Sequence, residues 1–280
     1  MHPTASEAAA PPAVMGIVNV TPDSFSDGGR AAAPAAAIAL ARRHLADGAA
    51  LVDIGAESTR PGAAEIPLEE EWRRLAPVLE VLLADGAPVS VDTRKAEIMR
   101  RALALGAPMI NDVSALTFDA AALDMIAGAP CAVVLMHAQG LPEDMQENPT
   151  YDDVAAEVLT YLEARIAACE AAGIERGRIV ADPGIGFGKT FRQNLELMAA
   201  LPRFRELGVR LLVGASRKGF IGWLTGVKQA DRRLGGSIGA ALAAAAGGAD
   251  ILRVHDVAET VQALAVFHAA RNGHPPPSDR

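Results

Sequence analysis

Eight short, almost uninterrupted apolar runs, separated by longer amphipathic stretches, constrain this chain more than any other feature. They are Val14 to Val20, Leu51 to Ala56, Pro88 to Thr93, Met109 to Ser114, Cys131 to His137, Arg178 to Gly184, Leu211 to Ser216 and Ile251 to Asp256. Strands that are apolar at successive rather than alternate positions read as covered on both faces, the environment of a parallel sheet. Between them, Leu68, Trp72, Leu75, Leu79 and Leu82 recur at spacings of four and three, and Val154, Val158, Leu162, Ile166 and Cys169 repeat the stripe, so each segment has one apolar packing face. Sharing 280 residues among eight units gives 35 each, the usual length of one strand, one helix and two loops. The expected fold is α/β, a single-domain (β/α)8 TIM barrel. A doubly wound open sheet is the rival, but the first run ends in Asn19-Val20-Thr21-Pro22, with no GxGxxG turn after it.

The barrel is expected over residues 14–270, with a flexible N-terminal segment at 1–13 and a flexible Pro-rich tail at 271–280. The core must come from aliphatic residues, because 50% of the chain is hydrophobic and only 4% aromatic. Twenty-six basic against 34 acidic side chains leave a net charge of −8, which disfavours a general nucleic-acid or anionic-membrane binder lacking a basic face. The start, MHPTASEAAAPPA, has neither a basic nor an apolar signal region, and no uncharged stretch reaches a membrane-spanning length. Cys131 and Cys169 stand apart from any CxxC or Cys/His cluster and read as reduced core thiols. The expected location is the cytoplasm.

In such a barrel the active site forms at the C-terminal ends of the strands. Polar residues sit there in nearly every unit: Asn19, Asp53 and Glu57, Asp92, Asn111 and Asp112, His137, Asp182, Ser216 with Arg217 and Lys218, and Arg253 with His255. Any one of them reads equally well as a cap or turn residue; eight such ends together point to a site. Arg253 and His255 are two apart in one strand, so both face the same side and can clamp an anion. Ser216-Arg217-Lys218 follows a strand and is expected to open a helix, a second place for an anion. Asp92, Asn111 and Asp182, from three strands, offer acceptors and an amide to a flat heterocycle with several N–H donors.

Pro183 to Thr190, PGIGFGKT, imitates a phosphate loop, but Pro183 stands where GxxxxGK[ST] needs glycine, so a Walker A loop is rejected. The glycines serve a tight strand-to-helix turn, leaving Phe187 to pack on a ligand ring. Met136 reads either as pocket lining or as core. The loops Thr21 to Gly29 and Glu57 to Gly62 are turn-rich and suited to closing over a barrel mouth.

Taken in order, NVTPDSFSDGG, DIGAESTRPGA, SVDT, INDVSAL, LMHAQG, DPGIGFGKT, LLVGASRKGFIG and RVHDV resemble the dihydropteroate synthase family from about Val14 to Val261. The resemblance implies a transferase of folate biosynthesis, in which 4-aminobenzoate displaces diphosphate from (7,8-dihydropterin-6-yl)methyl diphosphate. It assigns Asp92, Asn111, Asp182 and Lys218 to the pterin ring, with Met136, Phe187 and Gly214 lining the slot. Asn19, Arg60, Arg253 and His255 go to the diphosphate, Asn19 also through Mg2+ as the implied cofactor. Thr59, Arg60, Pro61 and Ser216 go to the 4-aminobenzoate side, and Asp92, Lys218, Arg253 and His255 to the chemistry. A homodimer, through the late Ala-rich helices, is implied as well. A pterin-binding methyltransfer barrel and a non-catalytic paralogue remain the alternatives; the first has no need of the SRK, RVH and ThrArgPro clusters.

Overall fold

The computed structural model describes residues 10–21, 33–58, 63–140, 145 and 148–274. In chain order the elements are β1 (Ala13–Asn19), α1 (Ala33–Ala46), β2 (Leu51–Gly55), α2 (Leu68–Ala84), β3 (Val89–Asp92), α3 (Ala96–Ala104), β4 (Met109–Asp112), α4 (Ala122–Ala127) and β5 (Ala132–Met136). There follow α5 (Val154–Ala171), β6 (Ile179–Asp182), α6 (Phe191–Ala199), β7 (Arg210–Val213), α7 (Gly219–Thr225), α8 (Leu234–Ala246), β8 (Ile251–Val254) and α9 (Val257–Asn272). All eight expected strands are present. Each helix-covered strand pairs in parallel with the next, and β8 returns to β1 to close the barrel.

The apolar runs are continuous because the two faces of each strand bury in different places. Val14 and Val18, Val52 and Ile54, Val89 and Val91, Val133 and Leu135, and Leu252 and Val254 face outward into the layer under the helices. Met15, Met109, Val134, Val180, Leu212 and Ile251 face inward and fill the barrel. The helical stripes meet the outer layer as expected: Leu75, Val78, Leu79 and Leu82 of α2 are buried, as are Val158, Leu162, Ile166 and Cys169 of α5. Burying each such side chain stabilises the fold by about 1.5–3 kcal/mol. Both cysteines are free and buried.

Local chemistry sets the helix starts. The Asp153 carboxylate accepts the amides of Ala155 and Ala156, each at 3.0 Å, and opens α5. Thr190 and Gln193 form a reciprocal capping box that starts α6 immediately after the glycine-rich turn.

Candidate active site

The inward face of the barrel climbs in steps of two residues, as strand alternation requires. Two positions above the apolar layer of Met15, Met109, Val134, Val180, Leu212 and Ile251 stand Ile17, Asn111, Met136, Asp182, Gly214 and Arg253, with Asp53 and Asp92 supplied by β2 and β3. Asp92 is in register with Asn111, and Met136 with Asp182. Met136, open in the sequence between pocket and core, thus belongs to the buried inward layer beside Asp182. Asn19 and His255 lie one further step up, at the rim. A separate cavity of about 810 Å3 opens at the opposite, N-terminal end of the strands, where Ala13, Leu51, Met109, Ala132 and Ile251 line it. Those strand residues are apolar, so the chemistry locates the site at the C-terminal end.

Asp53 is the hub of the layer. Its Oδ2 accepts Arg253 Nε at 2.6 Å and Asn111 Nδ2 at 3.0 Å, while another guanidinium nitrogen of Arg253 donates to Asp92 Oδ2 at 3.0 Å. Arg253 therefore bridges two carboxylates, a role the sequence reading, which gave it to an anion alone, did not contain. Because the Asn111 amide donates downward, its Oδ1 is left as the acceptor that faces a ligand. Burial, and then the charge of Asp53, push the Asp92 carboxyl up to about 8, although Arg253 opposes the shift.

Across the barrel, Asp182 Oδ1 accepts the amide of Gly184 at 2.8 Å. Burial raises its carboxyl to about 6 against the pull of that amide and of Lys218. Lys218 Nζ sits 4.0 Å from the centroid of the Phe187 ring. Burial, then the charge of Arg253, lower its amine to about 8. Gly214 lies against the Arg253 stem, where a Cβ would stand in ordinary van der Waals contact at 3.8 Å from Arg253 Cβ.

His255 departs from the expected cationic clamp. Burial, then the charges of Arg217 and Arg253, lower its imidazole to about 3, so it is neutral at pH 7. Ser216 Oγ accepts the His255 amide at 3.3 Å and lies 3.0 Å from Nδ1, which orients the ring; in the tautomer where the hydroxyl donates to Nδ1, Nε2–H is a neutral donor at the rim. Arg217 is also redirected: it adopts φ 59°, and its guanidinium pairs with Asp256 at 3.1 and 2.5 Å. Of the SerArgLys triplet, only Lys218 reaches the ring of Phe187.

Three strand-end residues have the bland role that caps and turns predict. Asp112 accepts the amides of Ser114 and Leu116. Glu57 pairs with Arg94 and Lys95. His137 is a partner of Lys189 at 3.0 Å. Thr59, Arg60 and Pro61 lie outside the described residues. Asp53 is singled out in the sequence only as a strand-end polar residue, and its partners reveal it as the hub; Lys189 is not singled out there.

No cluster of three or more His, Cys, Asp or Glu side chains suited to a metal occurs among the described residues. Asn19 at the rim offers one hard amide oxygen, the donor set of an ion carried mainly by phosphate oxygens and water, so the residues fit a Mg2+ that accompanies an anionic substrate.

Comparison with known proteins agrees with this layout. The pterin-binding enzyme family matches residues 15–255. A dihydropteroate synthase of Neisseria meningitidis serogroup C is 52% identical over 262 residues, covering 92% of each chain. The structure of Xanthomonas albilineans dihydropteroate synthase with 4-aminobenzoic acid superposes with a TM-score of 0.88 at 54% identity, covering 93% of both chains. The same enzyme in complex with 7,8-dihydropteroate gives a TM-score of 0.85 at 51% identity, covering 93% of this chain and 94% of that one. With the polar layer, the closed barrel and these relatives in agreement, the chain belongs to the dihydropteroate synthase family of pterin-binding enzymes.

Proposed function

We propose that the chain condenses (7,8-dihydropterin-6-yl)methyl diphosphate with 4-aminobenzoate to give 7,8-dihydropteroate and diphosphate. The observation that carries this reading is the single inward layer that joins Asp92, Asn111 and Asp182 to Lys218 and Arg253 at one mouth. The Xanthomonas complexes with 4-aminobenzoic acid and with 7,8-dihydropteroate support a substrate and the product of that reaction.

The amine nitrogen bonds to the methylene carbon as the carbon–oxygen bond to diphosphate breaks. The bonding pair departs with diphosphate, and one amine proton passes to solvent. An arylamine is neutral at pH 7 and already nucleophilic, so leaving-group departure is the harder half. Asp182 and the Asn111 carbonyl accept the ring's N–H donors, and Phe187 covers a face of it. Arg253 and the neutral His255 Nε2–H hold oxygens of the diphosphate, an electrostatic contribution of the type that is usually the largest in catalysis. Burial beside Asp53 holds the Asp92 carboxyl at about 8 and so largely protonated at pH 7; positive charge that grows on the pterin as the bond breaks favours its ionisation, and the carboxylate so formed offsets that charge. Asn19 would hold a Mg2+ that accompanies the diphosphate, and the ion would add positive charge beside the leaving group. Ser216, through His255, and the segment of Thr59, Arg60 and Pro61 are assigned to the 4-aminobenzoate side.

We further propose a homodimer through α7 and α8. There Trp223 and Leu224 are 57% and 56% exposed, Phe191 and Leu234 are exposed nearby, and Gly235 and Gly239 offer a smooth helix surface open to close approach. The assigned compartment is the cytoplasm, with which two buried free thiols are compatible. No helix among the described residues is long and apolar enough to cross a membrane. The deciding assay supplies both substrates and Mg2+ and measures diphosphate release. Release that depends on 4-aminobenzoate is expected; none with both substrates present would overturn the proposal.

A further inference from the structure

Among the described residues Lys189 heads the fully buried side chains by size, at 1% exposure, and the reaction as derived does not use it. A buried lysine is costly unless its donors are met. Here they are met, and by a particular set of partners. Nζ donates to the Gly184 carbonyl at 3.0 Å and the Phe187 carbonyl at 2.9 Å, lies 3.0 Å from His137 Nδ1 and reaches the His137 carbonyl at 3.4 Å. Four acceptors thus surround the amine, enough to meet every N–H it carries, although burial lowers it to about 7. His137 is neutral, its imidazole lowered to about 3 by burial and then by Lys189, and in the tautomer protonated at Nε2 its Nδ1 accepts from the lysine.

We infer that Lys189 is a positioning residue for the pterin half of the site, fastening the β6–α6 turn to the end of β5. The inference rests on the proposed function for the identity of the ligand. Each carbonyl it holds is one step from a group assigned to the pterin. The Gly184 peptide gives its N–H to Asp182 Oδ1 at 2.8 Å and its neighbouring carbonyl to Lys189. Phe187 gives its carbonyl to Lys189 and places its ring against Lys218. Close packing leaves the turn little room to settle differently: a Cβ on Gly184, at φ +70°, would lie 1.9 Å from the His137 carbonyl oxygen, and one on Gly188, at φ +59°, would lie 2.2 Å from that of Gln139. Tyr151 Oη donates to the Gly188 carbonyl at 2.8 Å from the other side. Asn194 Oδ1 accepts the Gly186 amide from the α6 side, while Lys189 ties the turn to the end of β5, and supports of this kind hold a binding group within the narrow tolerance that function needs.

The test is Lys189→Met, which keeps an unbranched side chain of similar length and removes every donor. A displacement of about 1 Å can cost about 100-fold, so a rise of about tenfold or more is expected in Kd for the pterin diphosphate, measured by titration calorimetry. The KM for 4-aminobenzoate at saturating pterin diphosphate should stay within about twofold, because Ser216, the described residue assigned to it, bonds to His255 and not to the turn that Lys189 holds. Lys189→Gln, which keeps two N–H donors, should recover part of the loss, and it carries the same comparison if the methionine variant does not fold. A folded variant with unchanged pterin Kd, or with both constants altered in equal proportion, overturns the positioning role. Wild-type chain is titrated first: failure of wild type to bind the pterin diphosphate overturns the proposed function and this inference together, whereas failure confined to the variants' pattern overturns this inference alone.

Discussion

Replacing Arg253 with alanine tests the physical core of the site in the free protein, without substrate. In the wild type the guanidinium contacts Asp53 Oδ2 at 2.6 Å and Asp92 Oδ2 at 3.0 Å. Asp53 is wholly buried, so water screens this contact little. Removing one partner of such a pair strands an uncompensated charge and costs about 3–5 kcal/mol. For 280 residues the unfolding entropy is about 0.6 kcal/mol/K, which converts that loss into a fall in Tm of roughly 5–8 °C.

The fall should also depend on pH, in a direction that Asp92 sets. Its carboxyl stands at about 8 when folded against 3.8 ordinarily, so the folded protein binds this proton more tightly than the unfolded chain. A raised carboxyl contributes stability that is fully present below the ordinary value and is lost as pH rises toward the folded one. Loss of Arg253 removes the group that opposes the shift and drives the carboxyl higher still. Below pH 7 Asp92 is protonated in both proteins, and the deficit is the part due to the lost contact with Asp53. Above pH 8 the wild type ionises Asp92 against Arg253 while the variant cannot do so cheaply, and the deficit widens. Thermal melts at pH 6 and pH 9 by circular dichroism measure both parts, and Arg253→Ala combined with Asp92→Asn should abolish the widening alone. A fall in Tm of less than about 2 °C, or a deficit that is the same at both pH values, would refute the bridge.

Asp92→Asn should lower turnover by more than tenfold, or about 1.4 kcal/mol in the barrier; steady-state kinetics showing a smaller loss would remove Asp92 from charge compensation. Gly184→Ala should destabilise the fold by more than about 1 kcal/mol, because its left-handed backbone and the 1.9 Å approach to the His137 carbonyl both oppose a side chain; an unchanged melting curve would contradict the packing of the turn. Chelation of Mg2+ should reduce turnover reversibly yet leave binding of a free pterin, measured by calorimetry, unaltered, whereas equal loss of both would place the ion at the ring. Trp223→Glu with Leu234→Arg should convert a dimer to monomer in analytical ultracentrifugation, and a dimer that survives would move the interface away from α7 and α8.

The barrel was legible because its signal is redundant: burial of both faces makes all eight strands largely apolar, and their limits shift by at most three residues, the largest shift being at the end of β7, Arg210–Val213 against Leu211 to Ser216. Strand alternation also made Arg253 and His255 legible as a pair on one side. What it could not carry is the partner each side chain chooses. Arg217 and Lys218 are adjacent cations in the sequence, yet a left-handed backbone at Arg217 turns its guanidinium to Asp256 while Lys218 enters the site. His255 resembles a cation until burial beside Arg217 and Arg253 neutralises it. Lys189 hides inside a stretch that imitates a phosphate loop, and only its burial reveals that its donors turn inward.

The arrangement also explains where this fold gives up stability. Among the described residues, the buried side-chain oxygens without a partner are Asp53 Oδ1 and Ser90 Oγ, whose residues are register neighbours on β2 and β3. Each unmet buried polar atom costs about 1–3 kcal/mol. Both lie at or just beneath the layer of Arg253, Asp92 and Asn111, and the Asp92 carboxyl above them is held far from its ordinary value. Chance polar defects would scatter round the barrel; these gather on two adjacent strands under one mouth. A layer kept polar at that cost is expected where binding requires it, so Asp53→Asn, which lightens the buried charge, should raise the Tm of the free protein only if Arg253 can still pair with Asp92, and should weaken pterin binding in either case.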